Sequence, residues 1–381
     1  MIFKKRNGFR KIYMDNMVVI SGKVFSGANK AAFFTELPWV IKQCREKFGF
    51  APFPGTLNLE IESDDIECLD TLSSKEWKDL VPPDETFCSS RALPVWIGPV
   101  KGALIRPDDH VAIHGRHVME ILAPLRLRDI LALTDGDRVE VKLCSGLEAS
   151  LTGVYPLFDL EAVMFDLDGT LIDSIESYYR IVEIALERLG LPKVPRLKIL
   201  KAAQNDSFQW EEILTAAPGK TLEETKAEAW KIIEAAYSEF FLENVRPFSD
   251  TGAVLRLLHA CGVRIGIVTS TPQKNITDKM KILEQAGVAG LVEIVISAGD
   301  AARKKPYPDP LILCCEKMGL QGDVCAYVGD TSIDMVAGKA AGMKTIGVLT
   351  GFDNHEDLLR KNPDCIIDSI SDLPRVMKLY G

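Results

Sequence analysis

Ala162-Val163-Met164-Phe165-Asp166-Leu167-Asp168-Gly169-Thr170 is the stretch that decides the fold. Four apolar or small residues, Ala162 to Phe165, read as a buried strand that delivers Asp166 at its end. Two carboxylates two residues apart, just past a strand end, are costly unless a cation or a transferred proton uses them. Gly169 permits the sharp turn that follows.

Outward from this point, short apolar runs alternate with helical periodicity: VRIGIVTS (263–270), VEIVISA (292–298), VCAYVGD (324–330) and KTIGVL (344–349). That alternation predicts a parallel sheet with crossover helices. An insertion over about 172–246, after the first strand, reads as almost wholly helical: 178–190, 207–217 and 222–243. Placed there, it sits over the carboxyl end of the sheet, where open α/β folds bind ligands, and it reads as a lid.

Further chemistry sits at the other strand ends. Ile267-Val268-Thr269-Ser270 brings hydroxyls, Lys304-Lys305-Pro306 brings a cation, and Tyr327-Val328-Gly329-Asp330 brings another acid with Asp334 four residues on. Asp166, Asp168 and Asp330 together make a hard-oxygen site suited to Mg²⁺. Thr269 and Lys305 can hold the oxygens of a phosphoryl group. Ser270 or Thr271 could stand in for Thr269, and Lys304 for Lys305.

This constellation resembles the haloacid dehalogenase superfamily of phosphohydrolases over about residues 160–375, with all four motifs in order. The resemblance implies a Rossmann-like (Rossmannoid) parallel sheet with an inserted α-helical cap of the C1 type, similar to the phosphoglycolate-phosphatase branch. It implies Asp166 as the nucleophile that forms an aspartyl-phosphate and Asp168 as general acid, then base. It implies Thr269 as a phosphoryl ligand and Lys305 as the charge balance. Mg²⁺ would be held by Asp166, the backbone carbonyl of Asp168 and Asp330, with Asp334 in support. The cap type implies a small phosphorylated metabolite as substrate. Within the cap, Lys198, Lys201, Gln204, Asn205 and Trp210 are candidate substrate contacts or ordinary lid surface.

Residues 17–150 differ in character. MVVISGKVF, TLNLEIE, ALPVWI, KGALIR and RVEVKLC read as short strands separated by Gly, Pro and Asp clusters, which predicts a small β-barrel. Helical patterns are expected over Pro38–Phe48 and, broken by Pro124, over His117–Leu131. Three segments resemble the archaeal CTP-dependent riboflavin kinase domain over about 17–144: SGKVFSG, GFAPFPGTLNLEI (49–61) and HGRHVMEILAPLRLRDILALTDGDRVEV (114–141). The resemblance implies CTP and riboflavin, with FMN as product, at this domain. It points to Thr56 and Asn58 for metal and phosphate and to Glu120 as a base near the riboflavin hydroxyl. Where the family carries a Gly-Glu-Gly-type loop, this chain has Ser26-Gly27-Ala28-Asn29-Lys30-Ala31-Ala32, which hinders close backbone approach to phosphates. Lys30 offers a point charge instead. Two domains follow: the barrel at 17–150 and the hydrolase at 160–381, after an extension at 1–16.

The readings are therefore a Mg²⁺-dependent phosphatase acting on phosphoglycolate, FMN, a phosphoribitylaminouracil or a similar ester; a bifunctional enzyme that also makes FMN; or a flavin- or nucleotide-binding regulator. Fusion of the two domains favours riboflavin and FMN metabolism by association.

Composition narrows the classes further. Of 381 residues, 47% are hydrophobic and 26% charged, which fits a globular chain rather than a disordered one. The formal charge is −9, so a broad nucleic-acid-binding surface is not expected. Residues 1–157 carry 20 Lys and Arg against 21 Asp and Glu, the remainder 25 against 33, so the acidity lies in the second half. The nine cysteines follow no metal spacing and are odd in number, as reduced cytoplasmic thiols would be. His110, His114 and His117 are weak metal candidates. No membrane span or secretory signal is read, and oligomeric state is left open.

Overall fold

The computed structural model describes residues 18–27, 31–72, 76–84, 87–107, 117–143, 157–203 and 213–380. It divides into two compact units, Met1–Leu157 with Pro374–Gly381, and Phe158–Leu373.

The first unit is antiparallel. Its strands are β1 (Val18–Phe25), β2 (Leu57–Ile61), β3 (Lys78–Leu80), β4 (Ser90–Ile97), β5 (Val100–Pro107), β6 (Val118–Leu122) and β7 (Arg138–Leu143). The order β4-β5-β6-β2-β1-β7 closes where β7 pairs back onto β4, and β3 extends β4 outside the ring. The result is a six-stranded barrel. Alternating burial along β1 and β7 puts Ile20, Val24, Val139 and Val141 inside, the period-two pattern of a half-buried strand. Short helices α1 (Ala31–Thr35), α3 (Ser63–Asp70) and α4 (Leu127–Leu131) fill its loops. Helix α2 (Pro38–Phe48) buries Val40, Cys44 and Phe48 with Leu80, Ala92, Ile105 and Leu122.

The helix expected over His117–Leu131 is instead β6 followed by α4. Pairing with both β2 and β5 wins over local periodicity, because β6 is needed to close the barrel. Residues 374–380, assigned from sequence to the hydrolase domain, pack in the first unit: Tyr380 joins the α2 cluster and the Arg375 guanidinium lies 5.0 Å from the Trp96 ring centre.

The second unit carries a six-stranded parallel sheet. Its strands are β8 (Ala162–Phe165), β11 (Arg264–Pro272), β12 (Ile294–Ala298), β13 (Cys325–Gly329), β14 (Lys344–Val348) and β15 (Cys365–Ile367), in the order β12-β11-β8-β13-β14-β15. Every side chain of β8 is fully buried, as a central parallel strand covered on both faces requires. The chain runs from β8 to β11 and β12 on one side, then crosses to β13 on the other. The mouth of the sheet therefore opens beside the end of β8. The sequence did not mark β15, a three-residue strand too short to show a period.

The insertion leaves the sheet through β9 (Ile172–Asp173) and returns through β10 (Arg246–Pro247), which pair with each other. Between them lie α5 (Ile175–Arg188), α6 (Arg196–Ala203) and α7 (Leu222–Asn244). Val182 and Leu186 of α5, Ile199 and Ala202 of α6 and Ala229 of α7 form the cap's own core. Helix α7 starts at a reciprocal cap, Thr221 with Glu224. Of the helix expected over 207–217, residues 213–217 are not helical and 207–212 lie outside the described residues; α6 was not expected. Helices α8 (Thr251–Ala260), α9 (Gln273–Gln285), α10 (Asp309–Met318), α11 (Ser332–Ala340) and α12 (His355–Leu359) complete the unit.

Two glycines fix how closely the loops meet at the mouth. Gly169 has φ +75°, and a Cβ there would lie 2.6 Å from Asp330 Oδ2. A Cβ on Gly351 would lie 1.8 Å from the same oxygen. Gly351→Ala is expected to lower stability by about 1–3 kcal/mol through overpacking, read from urea denaturation; an unchanged midpoint would contradict this packing.

Candidate active site

The parallel register sets the site. Phe165, the last residue of β8, lies level with Ile267 of β11 and Val328 of β13. Asp166 thus emerges between β11, which carries Thr269 two residues beyond Ile267, and β13, which is followed by Asp330. Asp166 donates its backbone N–H to Val328 O at 2.8 Å, which pins the loop to β13.

Asp166, Asp330 and Asp334 are all buried, and each offers an oxygen within 4.8 Å of the others. One ammonium stands among them. Lys305 Nζ donates to Asp166 Oδ1 at 2.7 Å, to Asp334 Oδ1 at 2.6 Å and to the Tyr327 hydroxyl at 2.8 Å. Those three bonds use all three of its protons. Tyr327 in turn donates to Val268 O at 2.7 Å, so the tyrosine braces the lysine against the sheet. Asp334 Oδ2 accepts from the Thr331 N–H and hydroxyl as a helix cap of α11. Asp330 accepts from the Thr170 hydroxyl at 3.1 Å and the Phe352 N–H at 2.8 Å.

Three carboxylates and one ammonium leave a formal charge of −2. Burial, then the neighbouring acids Asp334 and Asp168, push the Asp166 carboxyl up to about 7 against the pull of Lys305. Burial, with Asp166 and Asp334, also holds Asp330 well above the ordinary carboxylate range. Burial alone would lower Lys305, but Asp166 and Asp334 outweigh it and keep the ammonium firmly charged. A doubly charged deficit among oxygen donors in a buried pocket suits a hard divalent cation such as Mg²⁺.

Asp168 is placed differently. Its Oδ2 accepts from the Thr271 hydroxyl at 3.1 Å and from Lys279. Its Oδ1 is buried with no hydrogen-bond partner. The Asp168 carboxylate therefore stands outside the three-acid group, leaving its backbone carbonyl as the atom the resemblance offers to a metal. Thr269 is buried and donates to Thr271 Oγ1 at 3.0 Å. Ser270 and Lys304 are exposed, so of the alternatives read from sequence only Thr271 enters this network, while Lys305 and not Lys304 meets Asp166.

Sequence reading missed Lys279, Tyr178 and Tyr327. Lys279 had a visible signal: it shares the buried face of α9 with Ile282 and Leu283 at helical spacing. A lysine on the apolar face of an amphipathic helix needs a buried partner. Among the cap candidates, Lys198 is exposed on α6; Gln204, Asn205, Trp210 and the Lys201 side chain lie outside the described residues.

In the barrel, Thr56, Asn58 and Glu120 line one cavity of about 510 Å³ together with Phe34, Phe53 and Phe87. Thr56 Oγ1 donates to Asn58 Oδ1 at 3.3 Å. Gly27 lines the same cavity, and a Cβ there would lie 2.3 Å from Asn58 Nδ2, so a side chain at 27 would push the Asn58 amide aside. Lys30 lies outside the described residues, as do His110 and His114; His117 is exposed. The eight described cysteines are free, and no described helix is long and apolar enough to cross a membrane.

Comparison with known proteins gives the same two parts. Residues 163–348 match the family model of the haloacid dehalogenase-like hydrolases. Residues 24–143 match that of the CTP-dependent riboflavin kinase domain, described as domain of unknown function DUF120. The phosphoglycolate phosphatase of Salmonella typhimurium is 31% identical over 235 residues, covering 57% of this chain and 92% of the relative. That of Escherichia coli K12 is 31% identical over 233 residues, covering 56% and 91%. A crystal structure of a predicted phosphoglycolate phosphatase from Haemophilus somnus shares the fold, with a TM-score of 0.52 and 24% identity over 57% of this chain and 98% of that one. A mouth of three strand ends, a buried acid trio with one lysine and relatives aligned over nearly their whole length lead to one statement: this chain belongs to the haloacid dehalogenase-like hydrolases, as a phosphatase joined to a domain of the CTP-dependent riboflavin kinase family.

Proposed function

We propose that the second unit hydrolyses a small alkyl phosphomonoester of the phosphoglycolate kind, through a phosphoryl group carried on Asp166. The observation that supports this most is the buried grouping of Asp166, Asp330 and Asp334 around Lys305. Those three carboxylates would hold Mg²⁺, which supplies Lewis-acid neutralisation of phosphoryl charge.

The steps assigned to the chain balance as follows. An Asp166 carboxylate oxygen bonds to phosphorus while the bond from phosphorus to the ester oxygen breaks. Asp168 gives its proton to the departing oxygen. Water then attacks phosphorus, Asp168 takes the water's proton, and the Asp166 carboxylate leaves with phosphate released. Lys305 has no free N–H while it holds Asp166, Asp334 and Tyr327, so it acts on the phosphoryl group by charge and by fixing the Asp166 oxygen. The Thr269 hydroxyl is the neutral donor that can turn from Thr271 to a phosphoryl oxygen. The cap over the mouth excludes water during transfer.

A second reading rests on the barrel cavity, which gathers Thr56, Asn58 and Glu120 with aromatic walls. In it the first unit transfers phosphate from CTP to riboflavin, and FMN or a phosphoribitylaminouracil becomes a substrate of the second unit.

Asp166→Asn is expected to abolish Mg²⁺-dependent turnover of p-nitrophenyl phosphate and of phosphoglycolate, by about 10³-fold or more, with the far-ultraviolet spectrum unchanged. Retained turnover removes Asp166 from the nucleophile role. The same full-length Asp166→Asn chain, unable to dephosphorylate its own product, tests the second reading: riboflavin, CTP and Mg²⁺ should yield FMN by chromatography. Absence of FMN would reduce the barrel to a binding module.

The metal assignment has its own pH signature. A carboxyl raised on folding adds stability below its unfolded value and loses it as pH rises through the folded value. With Asp166 near 7 in the fold and about 3.9 when unfolded, the chelator-treated protein should lose thermal stability as pH climbs between those values. Excess Mg²⁺ should offset that loss, adding about 2.7 kcal/mol at a hundredfold over its dissociation constant. Melting curves with EDTA and with Mg²⁺ at pH 5 and 8 measure both effects; a metal-free protein that gains stability over this range would rule the assignment out.

A further inference from the structure

We propose that Lys279 is a positioning residue for Asp168, and that it couples this carboxylate to the cap. Lys279 lies on α9, outside the four motifs, and is 1% exposed. Its ammonium donates to Asp168 Oδ2, to Thr271 Oγ1 at 2.8 Å and to the Tyr178 hydroxyl at 3.3 Å, which exhausts its protons. Tyr178 belongs to cap helix α5. The ring of Phe241, from cap helix α7, has its centre 5.3 Å from the same nitrogen, and the Tyr178 ring centre is 5.7 Å away. One charge thus touches the motif loop, the end of β11 and both cap helices that flank the hinge strands β9 and β10.

The consequence falls on Asp168. Two donors, Lys279 and Thr271, hold Oδ2, while Oδ1 is buried with none. A carboxylate gripped at one oxygen has a fixed plane, and its open oxygen is the one that can pass a proton to an ester oxygen. Lys279 also gives Asp168 a cation of its own, whereas Lys305 is wholly taken by Asp166, Asp334 and Tyr327. A merely structural lysine would support α9 and the cap without favouring any leaving group. A lysine that aims the proton donor matters more as the leaving oxygen becomes more basic, because only a basic leaving group needs the proton.

This inference rests on the reading of Asp168 as proton donor, and the test separates the two. The full-length Mg²⁺-loaded enzyme is assayed for kcat/KM on aryl phosphates from p-nitrophenyl to phenyl phosphate. For Lys279→Met, the ratio of p-nitrophenyl to phenyl phosphate turnover should rise at least tenfold over wild type, as it should for Asp168→Asn; Lys279→Arg should restore part of it. A uniform fall across the series for Lys279→Met, with a steepened series for Asp168→Asn, overturns the positioning role and leaves Asp168 standing. A uniform series for Asp168→Asn overturns both. If Lys279→Met does not fold, Thr271→Val, which removes the hydroxyl shared by Asp168 and Lys279, is read by the same ratio and the same two outcomes.

Discussion

The second unit is organised around an electrostatic debt: Asp166, Asp330 and Asp334 are buried together with a single ammonium to balance them. In an apolar interior such an arrangement opposes folding unless a further cation joins it. The surrounding structure exists to impose it. In three adjacent parallel strands Phe165, Ile267 and Val328 lie level with one another, and their apolar side chains hold the chain in place there. Glycines at 169 and 351 let two loops come within contact of Asp330 that any side chain would block. Tyr327, fully buried, props Lys305 from below. Strain of this sort at one point, sustained by a well-packed sheet elsewhere, is the signature of a site shaped by chemistry rather than by stability.

Beside this cluster stands a second acid–lysine pair, Asp168 with Lys279. The two carboxylates of the Asp-Leu-Asp motif are two residues apart, yet they face different cations and different tasks. Asp166 shares Lys305 with Asp334, while Asp168 has Lys279 and two threonine hydroxyls linked in series. Environments that differ over so short a distance are how one loop can present a nucleophile and a proton carrier together. The cap enters through Tyr178 and Phe241, so closure of the lid and orientation of Asp168 meet at one nitrogen.

Much of this was legible in the sequence, for physical reasons. Continuous apolar runs such as Ala162–Phe165 announce buried parallel strands, and acids at their ends announce the mouth of the sheet. Sequence reading left Lys304 as a stand-in for Lys305, and only burial separates the two. What the sequence hid was tertiary. Residues 118–122 carry a pattern that suits a helix, and only the need to close a barrel makes them a strand. Tyr327 reads as one more apolar residue of a core strand, since nothing local tells that its hydroxyl meets a lysine twenty-two positions away. Lys279 was readable from its place on the apolar face of α9, but its partner, over a hundred residues earlier, was not. In the barrel, the motif residues Thr56, Asn58 and Glu120 were found by resemblance, and one cavity collects them.

The most direct test of the central claim is anomalous diffraction from crystals soaked in Mn²⁺, a hard divalent ion that reports its own position. One ion is expected, touching carboxylate oxygens of Asp166, Asp330 and Asp334, next to Lys305. An ion bound elsewhere, with these three acids ligated to nothing, would contradict that claim.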